Sequence, residues 1–553
     1  MNTHSLTRRA HPGARMAGLA IAALAVAALA VPTSLSLTQS DPRPSAPPGT
    51  RGAAANGTTV ANVVDLPGAS GQLVFSSYLG GQEWDEATGV ATDRDDNTYV
   101  TGFTLSEDFP RVGAGTRGHV AIVDAFVTKI AADGNRIEWS TQLGGVDMDM
   151  ANAVTVDADG NVYVVGRTGS PDFPTRNGLQ NRLRGNNCTG VPCHDAFVVK
   201  LSPTGTIVWS TLLGGTLNEE AVSVAVDEDA AVYVAGLTDS PNLPVRNAFQ
   251  PRFQSPPCQG DLPCPYDAFV TKLVPTGNRI VYSTYLGGHG GDLARGIDVD
   301  DDHNAYITGS TQSPDFPKVR AFQNTMRGEA CGPPPGEPCR QAFLTKLNPS
   351  GATAAYSTYL GGREHDDAYG VAVDRQHRAH VTGATQSPDF PTRNAIQPTL
   401  NNSACTSEEP EELCADGFVT KFAASGQELV YSTYLRGRAE DQGLSIDVTK
   451  NGRALVAGRT DSRDFLTTPN AAQPAFGGYI DGFALQLRPN GTPVWSTFLG
   501  GTDADRATGV AADRDGDAHL AGRTLSPDFP TERPFQPTLK DQDYDAFVSI
   551  IKK

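Results

Sequence analysis

The sequence predicts an all-β protein: a seven-bladed β-propeller of four-stranded antiparallel blades, with an N-terminal strand completing the last blade. Three observations lead there. A unit of 64 to 75 residues recurs seven times, and a fixed period is the mark of a repeat architecture. Each unit holds four stretches of β-forming letters joined by turn letters, with no amphipathic helix of useful length between them. The repeats also begin and end out of phase, so the chain opens with the strand that its last unit lacks.

The elements of one unit follow in order. The first strand is a V-A-V-D-like run (GVATD, AVTVD, SVAVD, GIDVD, GVAVD, SIDVT, GVAAD), alternating apolar and small or polar letters at period two. Polar turn letters such as DADGN at 157–161 then lead into a YVTG-like second strand, which makes a hairpin. The second strand ends in T-x-S-P-D-F-P, written identically at 311–317 and 385–391 and in close variants at 104–110, 168–174, 238–244, 460–466 and 524–530. Proline limits helix formation there, and the Phe is expected to pin the loop inward; Leu243 and Leu466 replace the Phe and the last Pro without breaking register. DAFVTKL at 267–273 and IVYSTYL at 280–286 illustrate the third and fourth strands, joined by a turn. The run LVFSSYLGG near residue 71 is a lone fourth strand, and DAFVSII at 545–551 is a third strand with none after it. Pairing the two removes two open sheet edges.

The expected organisation is an export signal at 1–31, a Pro/Ser/Gly-rich linker at 32–70 and a single propeller at 71–553. Blades are placed at about 82–145, 146–215, 216–288, 289–362, 363–437, 438–501 and 502–553, the last completed by 71–81. Arg8, Arg9 and Arg15 precede an apolar run from Met16 to Val31, short for a spanning helix, and Ala28-Leu29-Ala30 offers a cleavage site; the alternative is an uncleaved anchor.

Taken together, STYLGG, GVAVD, YVTG, TxSPDFP and DAFVTKL resemble the bacterial seven-bladed β-propeller repeat family, the SBBP repeats, over residues 71–551. The resemblance implies the fold and a setting at or beyond the bacterial envelope: periplasm, cell surface or extracellular space. It implies no reaction, because a propeller hosts many functions.

Eight cysteines fall in four local pairs, Cys188/Cys193, Cys258/Cys264, Cys331/Cys339 and Cys405/Cys414, each between the DFP and DAF phrases of its unit. Unequal spacings and no recurring His favour disulfides over a thiolate metal site, and disulfides agree with export. The formal net charge of -18 argues against a nucleic-acid partner. No further transmembrane span follows the signal, and a monomer is expected.

Function is sought where the units differ. From the last residue of the DFP phrase to the first of the DAF phrase the separations are 14, 21, 23, 24, 25, 15 and 15 residues, and the four long ones carry the cysteine pairs. Blades 2 to 5 are therefore expected to raise a braced loop wall on one face. On that face, four residues after each Leu-Gly-Gly (Leu-Arg-Gly at 435–437), stand Asp85, Asp149, Glu219, Asp292, Asp366, Asp441 and Asp505. One reading is a ring of oxygen ligands for Ca²⁺; the other is that each carboxylate caps the backbone N–H groups of its own turn. The DxDG-like turns read as hairpin turns, since blades 5 and 6 write them DRQHR and TKNGR. His380 and His519 align with Tyr99, Tyr163, Tyr233 and Tyr306 and read as structural replacements. No catalytic residue stands out: HExxH, GxSxG and GxxxxGK are absent. The expected function is an exported non-enzymatic binding or structural scaffold whose partner is an extracellular or envelope protein or polysaccharide. Alternatives are an extracellular enzyme acting on polysaccharide or another polymer at the channel mouth, and a calcium-stabilised adhesion module.

Overall fold

Alternation of apolar and small residues over seven or eight positions builds half-buried strands, and glycine decides how they pair. The computed structural model describes residues 71–113, 122–185, 188, 193–256, 266–328, 331, 338–401 and 414–553; the expected signal and linker at 1–70 lie outside them. Twenty-eight strands among the described residues form seven four-stranded antiparallel sheets, with no helix. In the first blade the strands are Asp85–Thr92, Thr98–Thr104, Asp124–Ile130 and Ile137–Leu143, paired in chain order. The innermost strands of the other blades are Asp149–Val156, Glu219–Val226, Asp292–Val299, Asp366–Val373, Asp441–Val448 and Asp505–Ala512.

The seventh sheet takes its fourth strand from the other end of the described chain. Gln72–Leu79 pairs antiparallel with Asp545–Lys552, from Gln72 opposite Lys552 to Leu79 opposite Ala546. The Tyr78 hydroxyl donates to Ser526 O at 2.7 Å and accepts from Phe529 N at 3.1 Å, tying this strand to the loop of the last blade. The seventh blade also touches the first, where Thr508 Oγ1 donates to Ala87 O at 2.6 Å.

Each innermost strand slips register once, as between Ala87 and Gly89. The glycine of the YVTG phrase makes that bulge possible: a Cβ on Gly102 would stand 1.9 Å from Glu86 O, and Gly166, Gly236, Gly383, Gly458 and Gly522 show the same approach. The apolar core lies between sheets, where the Phe of each DFP phrase meets the Phe of its own DAF phrase. Ring centroids are 4.6 Å apart for Phe316 and Phe343 and for Phe390 and Phe418, and both loop rings are buried. Leu243 takes the Phe position in blade 3 and is buried as well.

At the opposite end of the strands, Tyr99, Tyr163, Tyr233 and Tyr306 donate to Asp93, Asp157, Asp227 and Asp300 at 2.9 Å, closing the hairpin turns. His380 and His519 stand at the same position, buried, 3.4 Å from Asp374 and Asp513. They are replacements for tyrosine in a structural network.

Candidate functional site

The connection from second to third strand and the connection into the next blade emerge on one face, where the T-x-S-x-D phrase binds the Leu-Gly-Gly turn. In blade 5, Thr385 Oγ1 accepts Ser387 N at 3.0 Å, Ser387 Oγ accepts Glu364 N at 2.9 Å, and Asp389 Oδ1 accepts Arg363 N at 3.0 Å. Ser387 Oγ also donates to Asp366 Oδ2 at 3.0 Å, and the same oxygen accepts Gly362 N at 2.8 Å. The twice-written heptapeptide is thus a clamp on the turn beside it.

The seven carboxylates predicted as a ring are all fully buried. Each accepts the N–H of the second glycine of its own turn, from Gly81 N to Asp85 at 2.6 Å through Gly145 to Asp149, Gly215 to Glu219, Gly288 to Asp292, Gly437 to Asp441 and Gly501 to Asp505, all at 2.7 Å. Such capping satisfies backbone donors that burial would otherwise strand.

Each of these carboxylates has a neighbour that the sequence reading missed. The Asp of the DAF phrase in the preceding blade comes up against it, giving Asp124 with Asp149, Asp195 with Glu219, Asp267 with Asp292, Asp416 with Asp441, Asp481 with Asp505 and Asp545 with Asp85. A Cβ on Gly80 would lie 2.3 Å from Asp545 Oδ1 and 2.9 Å from Asp85 Oδ2, so bare glycine lets the two meet. Burial, with the facing carboxylate adding to it, pushes Asp124 up to about 7 and Asp545 to about 8. The Oδ1 atoms of Asp124, Asp195, Asp416, Asp481 and Asp545 are buried without a hydrogen-bond partner. In the fourth blade the acid is replaced by a neutral amide, Gln341. A loop glutamine supports the pair: Gln536 Nε2 donates to Asp545 Oδ2 at 2.8 Å while its Oε1 accepts Gly80 N at 3.0 Å. Gln180 and Gln473 act likewise on Asp195 and Asp481. The signal was in the sequence, as an Asp opening six of seven DAF phrases and a Gln recurring in six loops.

Around the axis on the same face the repeat symmetry breaks. The residue after each ring carboxylate is Glu86, Met150, Glu220, Leu293, Asp367, Gln442 and Arg506 in turn. Arg167 Nη1 lies 3.1 Å from Glu220 Oε2, Arg340 Nε lies 3.2 Å from Asp367, and Arg523 Nη1 lies 2.6 Å from Glu86 Oε2. Asn152 Nδ2 donates to Glu220 Oε1 at 2.9 Å. Burial with arginine nearby pushes His194 and His365 down to about 4, so both are neutral at pH 7. Trp84, Tyr544, Tyr266 and Tyr369 supply half-buried aromatic surface to this mouth.

Of the predicted loop wall, Cys188–Cys193 and Cys331–Cys339 are disulfides, and Cys414 is disulfide-bonded. Cys258, Cys264 and Cys405 lie outside the described residues. No helix among the described residues is long and apolar enough to cross a membrane.

Seven four-stranded blades around a polar mouth define a seven-bladed β-propeller, a fold consistent with a binding or scaffold role. The family model SBBP, the beta-propeller repeat, matches the chain five times, at residues 74–110, 138–174, 281–317, 355–391 and 494–530. Among curated proteins it is similar to an uncharacterized WD repeat-containing protein of Acanthamoeba polyphaga mimivirus, 21% identical over 450 residues. The match covers 71% of this chain, which spans only 31% of that relative's length. Among solved structures it is similar to the Neurospora crassa Pan2 WD40 domain, with a TM-score of 0.40, 9% identity and coverage of 87% of this chain and 97% of that one. It is also similar to BamB from Moraxella catarrhalis, with a TM-score of 0.33, 12% identity and coverage of 84% and 85%.

Proposed function

We propose that the chain is an exported, non-enzymatic binding scaffold that docks an extracellular or envelope protein or polysaccharide on the face carrying the cysteine insertions of blades 2 to 5 and the axial mouth. One observation carries the reading. Scaffold positions repeat from blade to blade, whereas the position after the ring carboxylate varies around the mouth among acid, amide, apolar and basic residues. A fold that only had to stand would have no use for that asymmetry, and specific recognition needs it. Aromatic and arginine side chains held on a rigid frame are where binding energy concentrates.

The test is affinity capture of envelope polymers and proteins on the full chain, compared with two variants. One has the four cysteine loops shortened to the length of the blade 7 loop, and the other is Glu220→Ala at the mouth. Loss of capture in either supports the reading; undiminished capture in both refutes it. Release of shortened polymer from the captured material would turn the reading toward the enzyme alternative.

A further inference from the structure

Arg506 and Arg523 stand directly opposite each other across adjacent antiparallel strands of the seventh blade. Like charges at that spacing are destabilising. The equivalent pairs elsewhere are Glu86 with Phe103, Met150 with Arg167, Glu220 with Leu237, Leu293 with Ser310, Asp367 with Ala384 and Gln442 with Arg459, so the opposition belongs to this blade alone. Arg523 is answered by Glu86, and Arg459 of the neighbouring blade by Glu440. The Arg506 side chain, half-buried, makes no hydrogen bond or salt bridge among the described residues, and the two carboxylates whose charge reaches it, Glu86 and Asp461, are each paired with another arginine. An unanswered guanidinium beside two others is a costly arrangement in a chain of net charge -18.

Resting on the binding reading above, we propose that the mouth binds a ligand bearing an oxyanion, a carboxylate, sulfate or phosphate, through the Arg506 guanidinium. The planar fork of an arginine matches such a group in a bidentate contact. An aromatic wall stands beside it: Trp84 and Tyr544 have ring centroids 5.6 Å apart, and Arg523 Cζ lies 4.6 Å from the Tyr544 ring. That wall would stack the body of the ligand while the guanidinium takes its charge. Burial and the nearby Arg523 and Arg459 push Arg506 down to about 9, and Glu86 offsets them only in part.

Sodium glucuronate, sulfate and phosphate are titrated calorimetrically into the full chain against chloride at equal ionic strength. The variants are Arg506→Gln, Arg506→Lys and, as control, Arg363→Gln, an exposed arginine on the same face. At least one salt is expected to bind, with at least tenfold weaker affinity in Arg506→Gln, a smaller loss in Arg506→Lys and none in the control. Binding of glucuronate alone would identify a carboxylate ligand, and binding of sulfate or phosphate a tetrahedral one. Without anion, Arg506→Gln is expected to unfold no sooner than the parent, because the opposed charge is gone. Absence of binding by all three salts, or equal binding by Arg506→Gln, overturns the proposal. If capture nonetheless depends on Glu220, the binding reading stands and only its anionic chemistry falls.

Discussion

Replacing Asp545 by Asn should make the protein more stable at pH 8 and leave it nearly unchanged at pH 5. Asp545 and Asp85 are both fully buried; burial lifts both, with the Asp85 charge adding to it at Asp545, to about 8 for Asp545 and about 7 for Asp85. A carboxyl whose value is raised in the folded state contributes stability that is whole below its unfolded value of 3.8 and is lost as pH rises through the folded one, here about 8. That span of about 4 in pH, at ~1.4 kcal/mol for each, sets a ceiling of about 6 kcal/mol. Relaxation of the pair and entry of water lower it, and we expect ~2 kcal/mol. Asparagine keeps an acceptor for Gln536, as Gln341 keeps one for Gln323 in the fourth blade, and offers Asp85 a donor. Urea unfolding of parent and D545N at pH 5, 6, 7 and 8 should show parent stability falling across the range and D545N falling less. The reciprocal change Gln341→Asp should steepen the fall. A flat parent profile, or equal slopes in parent and D545N, would refute the reasoning.

Four further outcomes are expected. Ser387→Ala removes a hydroxyl that joins Asp366, Glu364 N and the turn, and should cost ~1–3 kcal/mol in urea unfolding. Phe390→Ala empties a buried position whose ring lies 4.6 Å from Phe418 and 6.0 Å from Tyr434, and should cost ~3–5 kcal/mol by the same measurement. Deleting residues 71–79 bares the edge of Asp545–Lys552, and size-exclusion chromatography should show association or aggregation. Millimolar Ca²⁺ or EDTA should leave the thermal midpoint unchanged, since the seven ring carboxylates face their own turns; a rise with Ca²⁺ would restore the adhesion reading.

The fold was legible because it is written seven times: a hairpin signal that is weak in one blade becomes strong when DAFVTKL and GVAVD keep register throughout. The Phe of the DFP phrase, His380 and His519 were readable from alignment of the units alone. The site was legible only by position. Asp85 through Asp505 showed their spacing, but that six of the seven face an Asp of the preceding blade depends on how neighbouring sheets abut. Arg506 and Arg523 are 17 residues apart in sequence, and only strand register sets them face to face. Repeated letters report the frame, whereas the mouth is assembled from letters that do not repeat.

The strand Gln72–Leu79 has a further consequence, in the order of events. It is synthesised before the rest of the described chain, yet its partner Asp545–Lys552 is made last. Six sheets can form as their own residues emerge, but the seventh must wait for the whole. A chain that stops before Asp545 leaves that first strand without its place, so the pairing acts as a check that all seven units are present.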